Sequence, residues 1–405
     1  MNNFDSNENN RRGRVKFQFS IVWLLSYISI ASVSAAMVTP ALPYIQSQFF
    51  LNSGEVEWVV SAFLIGYVLG QLIYGPLANA HGRLKALRLG LKINIFGLIV
   101  CLMSSVFASY SLLVLGRFIT GLGAAAGLAC TFMLINEWLP EESRKTAMAY
   151  STLSFAIGIG LAVMVGGVVS EYWHWQGCFL LLMLQGIFML WGTRVFRETL
   201  IQPKPIQVRT LFHDYIKALS SLKLVVFSMV VGMCSSVAYC FSAAGPQIAH
   251  DYLHLSVANY GYWNGLNIVG MLLGGLFSRE LLERFSTYTV IGIGFLGSVI
   301  GLFSLVGMWQ AGSHSVGWFF ITVTILYVFD SCFFAAGAHK ASNALLDKAS
   351  ASSMMSFINM SFATLNVVVM GYLSPDPLVA FISILTCLFL LMLAVLVCSF
   401  RSLRA

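Results

Sequence analysis

Two ionisable residues, Asp330 and Arg117, lie inside long apolar stretches of the sequence. At 1.5 Å per helical residue, Asp330 lies roughly 21 Å and Arg117 roughly 9 Å from the start of its stretch. A charge at hydrocarbon depth costs at least about 2.5 kcal/mol, so such a residue is a functional candidate. A carboxyl group there can carry a proton or accompany a cation, and a guanidinium can bind an anionic group or assist a proton step. We predict that both residues take part in proton coupling.

A structural explanation remains open for each of these two residues. Asp330 could be held by Ser or backbone groups, and Arg117 could bond neighbouring backbone carbonyls. Their depths differ by about 12 Å, which argues against a direct ion pair. Six polar or aromatic residues within apolar stretches are further candidates to line a site for a small organic molecule, although interhelical hydrogen bonding explains each of them alone. With Arg117 and Asp330, the candidate binding residues are Tyr27, Tyr239, Asn264, Asn267, Asn359 and Asn366.

The elements that must position these residues follow from composition. Hydrophobic residues make up 58% of the chain and charged residues 10%, which is too little polar surface to cover a soluble globule. A membrane-spanning helix needs about 20 apolar residues, and continuous apolar runs favour helices over a barrel. Twelve such runs lie near residues 18–39, 56–78, 88–108, 112–136, 147–169, 176–196, 222–245, 258–278, 287–309, 316–338, 352–373 and 377–399.

The placement of basic residues gives an independent test of the helix count. If the twelve spans cross the membrane in alternating directions, all but one of the 23 Lys and Arg residues lie on the same side, and the exception is Arg117. Because cytoplasmic loops retain Lys and Arg, we predict cytoplasmic N- and C-termini in a multi-pass inner-membrane protein. The net charge of +7 follows from this bias, so we expect no nucleic-acid partner.

The longest polar stretch between spans divides the chain into two sets of six helices. Gly66-x-x-x-Gly70 and Gly270-x-x-x-Gly274 match at an offset of 204 residues, which indicates an internal repeat. The predicted parts are a cytoplasmic tail at 1–17, an N-terminal half at 18–196, a central cytoplasmic loop at 197–221, a C-terminal half at 222–400 and a tail at 401–405.

Three local motifs carry a resemblance to a known family. The stretch Gly75-Pro-Leu-Ala-Asn-Ala-His-Gly-Arg-Leu-Lys85 is similar to the loop signature G-x-L-a-D-r-x-G-r-k of the major facilitator superfamily. Arg117-Phe-Ile-Thr-Gly121-Leu-Gly123, followed by Glu137 and Arg144, resembles the R-x-x-q-G-x-g motif of its proton-coupled exporters. Pro40-Ala-Leu-Pro43 and Trp175-Gln-Gly are as in its Bcr/CflA-type drug:proton antiporter branch.

The resemblance implies an all-α membrane protein with the major facilitator fold. Twelve transmembrane helices would form two six-helix halves around a central cavity, which opens to each side in turn. It also implies a set of residues that control this conformational change, in the loop after span 2, at the end of span 4 and in span 5. These are Gly75, Asn79, Gly82, Arg83, Glu137, Arg144, Gly158, Gly166 and Gly167.

Three positions depart from the pattern of that branch. Ala36 stands where the relatives have an acid in span 1, Asn79 replaces the loop Asp, and Ala162-Val163 replaces Gly-Pro in the span 5 motif. If the missing acid carries the proton in the relatives, this chain must carry protons elsewhere or not at all. Asp330 is the acid that the sequence places well inside a span.

The function that we expect is secondary active transport. The sequence has no phosphate-binding loop, so gradients must drive transport, and no catalytic cluster or metal-ligand spacing indicates an enzyme or a cofactor. We predict proton-coupled efflux of small amphipathic organic molecules, such as drugs or siderophore-like metabolites. The alternative is import of a small metabolite or siderophore, by proton symport or facilitated diffusion. The expected partners are the substrate, protons and the lipid bilayer, and the working unit is a monomer because one chain completes the cavity.

Overall fold

The computed structural model describes residues 23–200, 202–203, 208–345 and 348–402, and every regular element within them is helical. The expected tail at 1–17 lies outside these residues. Eleven described helices are long and apolar enough to cross a membrane, and the one at Ile157–Val195 has 39 residues. At 1.5 Å per residue it measures roughly 58 Å, about twice the hydrocarbon thickness, so it contains two spans. The expectation of twelve spanning helices is therefore confirmed.

The bounds of the helices follow the expected order with small shifts. The N-terminal half contains α1 (Trp23–Phe49), α2 (Trp58–His81), α3 (Arg83–Val106), α4 (Tyr110–Trp138), α5 (141–172) and α6 (175–192). The C-terminal half contains α7 (Leu222–Gln247), α8 (Gly265–Arg284), α9 (Thr287–Gln310), α10 (Val316–Ser342), α11 (Lys348–Met370) and α12 (Pro377–Ser402). α1 is interrupted by a 3-10 turn at Thr39–Ala41, and short helices at Ser53–Val56 and Val257–Trp263 precede α2 and α8.

Local side chains set where many of these helices begin and end. A serine hydroxyl accepts a hydrogen bond from the backbone N–H three residues later at the start of α4, α7, α9 and α10, through Ser109, Ser221, Ser286 and Ser315. Each such cap contributes about 1 kcal/mol to the helix. α5 and α6 separate at His174, whose φ of 56° and ψ of 178° are not helical.

The repeat seen in the sequence corresponds to equivalent helix contacts in the two halves. A Cβ atom on Gly66 of α2 would lie 2.1 Å from the Phe118 carbonyl oxygen of α4. A Cβ atom on Gly270 of α8 would lie 2.9 Å from the Thr324 carbonyl oxygen of α10. Both glycines thus let a pair of helix backbones pack closely, as small-xxx-small motifs do in membranes.

The central loop contains an element that the sequence reading missed. Residues Val208–Leu219 form a helix, which we call the linker helix. The Tyr215 hydroxyl donates a hydrogen bond to the Leu72 carbonyl oxygen of α2 at 3.3 Å. The linker helix therefore contacts α2 of the N-terminal half, and does not simply span the distance between the halves.

The two halves meet closely at the opposite end of the bundle. There Ser53 Oγ donates to the Pro375 carbonyl oxygen at 3.1 Å, and Trp58 Nε1 donates to the Tyr372 hydroxyl at 2.9 Å. The Ala258 backbone N–H donates to Glu171 Oε2 at 3.1 Å. We call this contact the seam, formed by residues 53–58 and 166–171 of the N-terminal half against 257–261 and 371–375 of the C-terminal half. The seam closes the bundle at the end away from the basic loops.

Candidate functional site

A small cavity of about 20 Å³ lies between α5 of the N-terminal half and α7, α8 and α10 of the C-terminal half. This volume is enough for roughly one water molecule. Its wall combines aromatic groups with two amides and contains no charged side chain. The lining residues are Ile159, Gly160, Val163, Phe241, Ser242, Tyr260, Asn264, Asn267, Ile268, Met271 and Tyr327.

Asn264 and Asn267 supply the amide groups of this wall. Asn264 ends the short helix before α8, and its side-chain oxygen accepts a hydrogen bond from Asn267 Nδ2 at 2.7 Å. Thr324 Oγ1 lies 3.5 Å from Asn267 Oδ1. Asn264 has helical backbone angles, and residues three apart on a helix are neighbours, so both predicted amides lie in one place. They form a polar patch that can exchange hydrogen bonds with a bound molecule.

Asp330 lies on α10 one turn beyond Tyr327, deep in the C-terminal half, and only 1% of its surface is exposed. Ser298 Oγ of α9 donates a hydrogen bond to Asp330 Oδ1 at 2.8 Å. The second carboxylate oxygen, Oδ2, is buried and has no hydrogen-bond partner. The structure therefore leaves one oxygen of this acid able to hold a proton.

Arg117 is fully buried on α4 and ties three helices of the N-terminal half together. Its Nε donates to the Val59 carbonyl oxygen of α2 at 2.8 Å, and its Nη1 donates to the Ser34 carbonyl oxygen of α1 at 2.9 Å. The guanidinium lies 4.5 Å from the centre of the Phe63 ring, within cation–π range. Its Nη2 has no partner. Arg117 and Asp330 are thus held in different halves by different groups.

The four remaining binding candidates lie outside the cavity wall. The Tyr27 hydroxyl donates to the Met189 carbonyl oxygen at 2.5 Å, which places this ring between α1 and α6. Asn366 Nδ2 donates to Ser236 Oγ at 3.1 Å, which joins α11 to α7. Tyr239 is half-buried on α7, and Asn359 of α11 has a buried Oδ1 without a partner. The structure therefore brings only Asn264 and Asn267 of the six together at the cavity.

The loop motif after α2 forms a compact network at the basic end. Arg83 Nη2 donates to Glu137 Oε1 of α4 at 2.7 Å, and Arg83 Nη1 donates to the Ala78 carbonyl oxygen at 2.9 Å. Glu198, after α6, accepts hydrogen bonds from the backbone N–H groups of Arg83 and Leu84 at 2.8 and 3.1 Å. This carboxylate therefore caps the first turn of α3.

Gly82 is required at this turn for two reasons. Its φ of 115° is disfavoured for any residue with a side chain, and a Cβ atom there would lie 2.5 Å from Glu198 Oε2. By contrast, a Cβ atom on Gly75 would meet nothing closer than 3.9 Å, so packing does not require that glycine. Asn79 lies half-buried within α2, and the side chain of Arg144 lies outside the described residues.

Removing the Glu198 cap provides a test of this network. Partial burial alone would raise the pKa of Glu198, but backbone N–H groups of Leu200, Arg83, Leu84 and Thr199 together lower it. The ionised form therefore stabilises the fold, fully above the unfolded pKa of about 4.3, and this contribution is lost as pH falls through the lower folded pKa. Glu198→Ala is expected to lower the melting temperature at about pH 7 and to lower it less at about pH 4. Equal losses at both pH values, or the same loss in the exposed Glu283→Ala control, would contradict this role.

The glycines of α5 allow close contact on two sides. A Cβ atom on Gly166 would lie 2.0 Å from the Met37 carbonyl oxygen of α1, and one on Gly158 would lie 3.1 Å from Ser29 Cβ. A Cβ atom on Gly167 would lie 2.8 Å from the Val257 carbonyl oxygen, across the seam. Val163, one of the departures from the family motif, lines the cavity.

Sequence reasoning missed one buried acid. Glu57 lies at the start of α2, is only 3% exposed and has a buried Oε2 without a hydrogen-bond partner. The sequence places this residue at the edge of a span, where an acid is ordinarily solvated, so hydropathy gave no signal. Among the described residues no group of three or more His, Cys, Asp or Glu side chains could hold a metal ion.

Comparison with known proteins places this geometry in context. A family model described as Major Facilitator Superfamily matches residues 24–243, more than half of the chain. The bicyclomycin resistance protein homolog of Haemophilus influenzae is 20% identical over 67% of this chain and 67% of its own length. The multidrug transporter MdfA of Yersinia pestis is 24% identical over 88% of this chain and 87% of its own length. The solved structure of a peptide transporter POT in complex with sulfate is 14% identical, covers 94% of both chains and has a TM-score of 0.75.

Proposed function

We propose that this chain, which belongs to the Major Facilitator Superfamily, exports small amphipathic organic molecules in exchange for protons. It is a multi-pass membrane protein and a transporter of small molecules rather than an enzyme. The efflux direction, the substrate class and the exchange of protons are our proposal. So is the location in an inner membrane with both termini cytoplasmic, which rests on the one-sided placement of Lys and Arg.

The geometry of Asp330 is the observation that carries this proposal. Ser298 Oγ of α9 donates a hydrogen bond to one carboxylate oxygen of Asp330 on α10 at 2.8 Å, so this contact between helices uses a single acceptor oxygen. Asp330 supplies a second, unpartnered oxygen at a depth where an unpaired charge is costly. A group of this kind can bind a proton in one state and release it when its surroundings change.

The chemistry of the cavity wall, and not its present volume of about 20 Å³, supports the proposed substrate class. Phe241, Tyr260 and Tyr327 offer apolar and aromatic surface, while Asn264 and Asn267 offer hydrogen bonds without net charge. Such a wall suits a molecule with an aromatic or aliphatic body and a few polar groups. The names of the bicyclomycin resistance and multidrug relatives agree with this chemistry and with export.

Import is the second candidate, and the departures at Ala36 and Val163 favour it. Ala36 is buried in α1 and supplies no acid at the position used in the exporting branch. Without an acid at this position, α1 cannot carry the exchanged proton there. In our proposal Asp330 carries the proton instead. The two candidates then differ in direction: a proton exchanger moves substrate opposite to the proton flow, whereas a proton symporter moves it with the proton flow.

Inside-out membrane vesicles separate these candidates directly. With an acidic vesicle lumen, a proton exchanger should accumulate an amphipathic dye inside the vesicle, because protons flow out of the lumen and the dye is carried into it in exchange. A proton symporter would instead expel preloaded substrate under the same gradient. We expect at least one dye from a panel of cationic, neutral and anionic amphipathic dyes to accumulate. This accumulation should be abolished when the gradient is collapsed. Uptake that is indifferent to the gradient for every dye would refute proton coupling.

A further inference from the structure

Glu57 is buried at the seam where the two halves meet. Its Oε2 lies against Gly371 at the end of α11, since a Cβ atom built on Gly371 would be 2.6 Å from that oxygen. The Glu57 side chain comes from α2 of the N-terminal half, and Gly371 belongs to the C-terminal half. The carboxyl group is therefore covered by the opposite half of the protein, and not only by its own helix neighbours.

The contacts around Glu57 show that closing the seam is what buries it. A Cβ atom on Gly54 would lie 2.2 Å from the Gly371 carbonyl oxygen, so the two backbones touch directly beside the carboxyl group. The Ser53–Pro375 and Trp58–Tyr372 hydrogen bonds flank this contact on either side. If the halves separated at this end, the Glu57 carboxyl group would be exposed to water.

Among the residues that the structure describes, Glu57 has no compensating positive charge in the closed arrangement. Among the described residues, no Lys, Arg or His forms an ion pair with it. The groups around it are the Cys240 thiol of α7, the Tyr372 hydroxyl beside α11 and the exposed Glu55 of its own segment. From α4, Tyr110 donates its hydroxyl to the Glu55 carbonyl oxygen, and Arg117 is directed to the Val59 carbonyl oxygen. An ionised Glu57 would thus be a buried, unpaired charge, which is strongly unfavourable.

We propose that Glu57 is a proton-binding site whose occupancy closes the seam. Closing takes one proton onto the Glu57 carboxyl group from the adjoining aqueous side. Opening exposes the group to water, which hydrates the carboxylate and allows the proton to leave. This site is separate from Asp330, and it does not depend on the identity of the substrate or on the direction of transport.

The sign of the pH dependence follows from linkage. The closed state binds the proton more tightly than the open state, so low pH favours closure and rising pH favours opening. Because a single proton is linked, the ratio of closed to open molecules falls by up to about tenfold for each unit of pH. A structural acid that merely fills space at the seam would give no such dependence.

Disulfide cross-linking across the seam measures closure without any substrate. Ser53→Cys with Pro375→Cys gives a reporter pair that spans the two halves, where the native groups are in hydrogen-bond contact. Ser105→Cys with Gln176→Cys gives a matched pair inside the N-terminal half, where Gln176 Nε2 donates to Ser105 Oγ at 3.0 Å. This second pair corrects for the pH dependence of thiol oxidation, and the single substitutions correct for native cysteines.

The expected result is a cross-seam yield that falls, relative to the control pair, as pH rises. Glu57→Gln should keep the yield high at every pH, whereas Glu55→Gln, which keeps the helix cap, should behave like the native chain. Equal pH profiles in the native chain and Glu57→Gln would overturn the proposal. If Glu57→Gln does not fold, the native chain still decides, since a cross-seam yield that follows the control pair at every pH would overturn it.

Discussion

Asp330→Asn is expected to abolish proton-driven transport while leaving substrate binding in place. Asparagine keeps the size of the side chain and can still accept the Ser298 hydrogen bond at one oxygen. Its amide group cannot bind and release a proton near neutral pH, so the step that couples substrate movement to the proton gradient is lost. We expect gradient-driven accumulation to fall by at least about 100-fold, which is the typical effect of removing a side chain that transfers a proton.

Two measurements on Asp330→Asn separate coupling from binding. Proton release from the detergent-solubilised protein on addition of substrate should disappear, whereas exchange of labelled for unlabelled substrate across a vesicle membrane without a gradient should persist. Asp251→Asn is the matched control, because Asp251 belongs to the same half but is exposed and paired with His250. Substrate-dependent proton release that survives in Asp330→Asn would place the coupling proton elsewhere. Loss of exchange as well as coupling would indicate a binding or structural role.

Arg117→Ala is expected to destabilise the N-terminal half strongly and to abolish transport. The substitution removes two hydrogen bonds from a charged donor to the carbonyl oxygens of Val59 and Ser34, at about 1.5–3 kcal/mol each. It also leaves a void beside the Phe63 ring. Arg117→Lys should recover only part of the stability, because an ammonium group is not the planar fork that reaches both helices.

Thermal unfolding of the purified variants tests this role of Arg117. The melting temperature should fall in the order native, Arg117→Lys, Arg117→Ala, and transport should fall in the same order. Arg279→Ala serves as the control, since the side chain of Arg279 on α8 is 79% exposed and its pair with Glu283 is a surface contact. A stable Arg117→Ala protein without transport would assign Arg117 to the transport cycle instead. A stable and active variant would contradict both roles.

The position of Arg117 also bears on how the halves could move. It joins α1, α2 and α4 through two carbonyl oxygens, so these helices are tied into one unit. The Arg83–Glu137 pair and the Glu198 cap tie α2, α3, α4 and the segment after α6 at the basic end. Ion pairs and charged hydrogen bonds therefore hold the N-terminal half together, whereas the contacts described across the seam are close backbone packing and three hydrogen bonds. This distribution agrees with halves that move as bodies about a central site.

The sequence by itself determined the membrane class and the number of spans, and it predicted that Asp330 and Arg117 lie inside spans; the structure buries both residues. These features depend on the transfer of side chains between water and hydrocarbon, which is nearly additive along the chain. Spacing also indicated the repeat, and the structure shows the same close helix contacts at Gly66 and Gly270. The linker helix was missed, because an amphipathic helix of 12 residues is too short and too polar on one face to register as a membrane span.

Only the tertiary structure decided which groups meet. Glu198 caps a helix that begins 115 residues earlier in the chain, and Glu57 is buried by a glycine from the other half. Of the six polar candidates, only Asn264 and Asn267 line the cavity, while Tyr27 binds the carbonyl oxygen of Met189 instead. Burial, hydrogen-bond partners and the cost of an unpaired charge depend on neighbours that are distant in sequence. Hydropathy and local spacing describe a residue's depth and helix face, but not what packs against it.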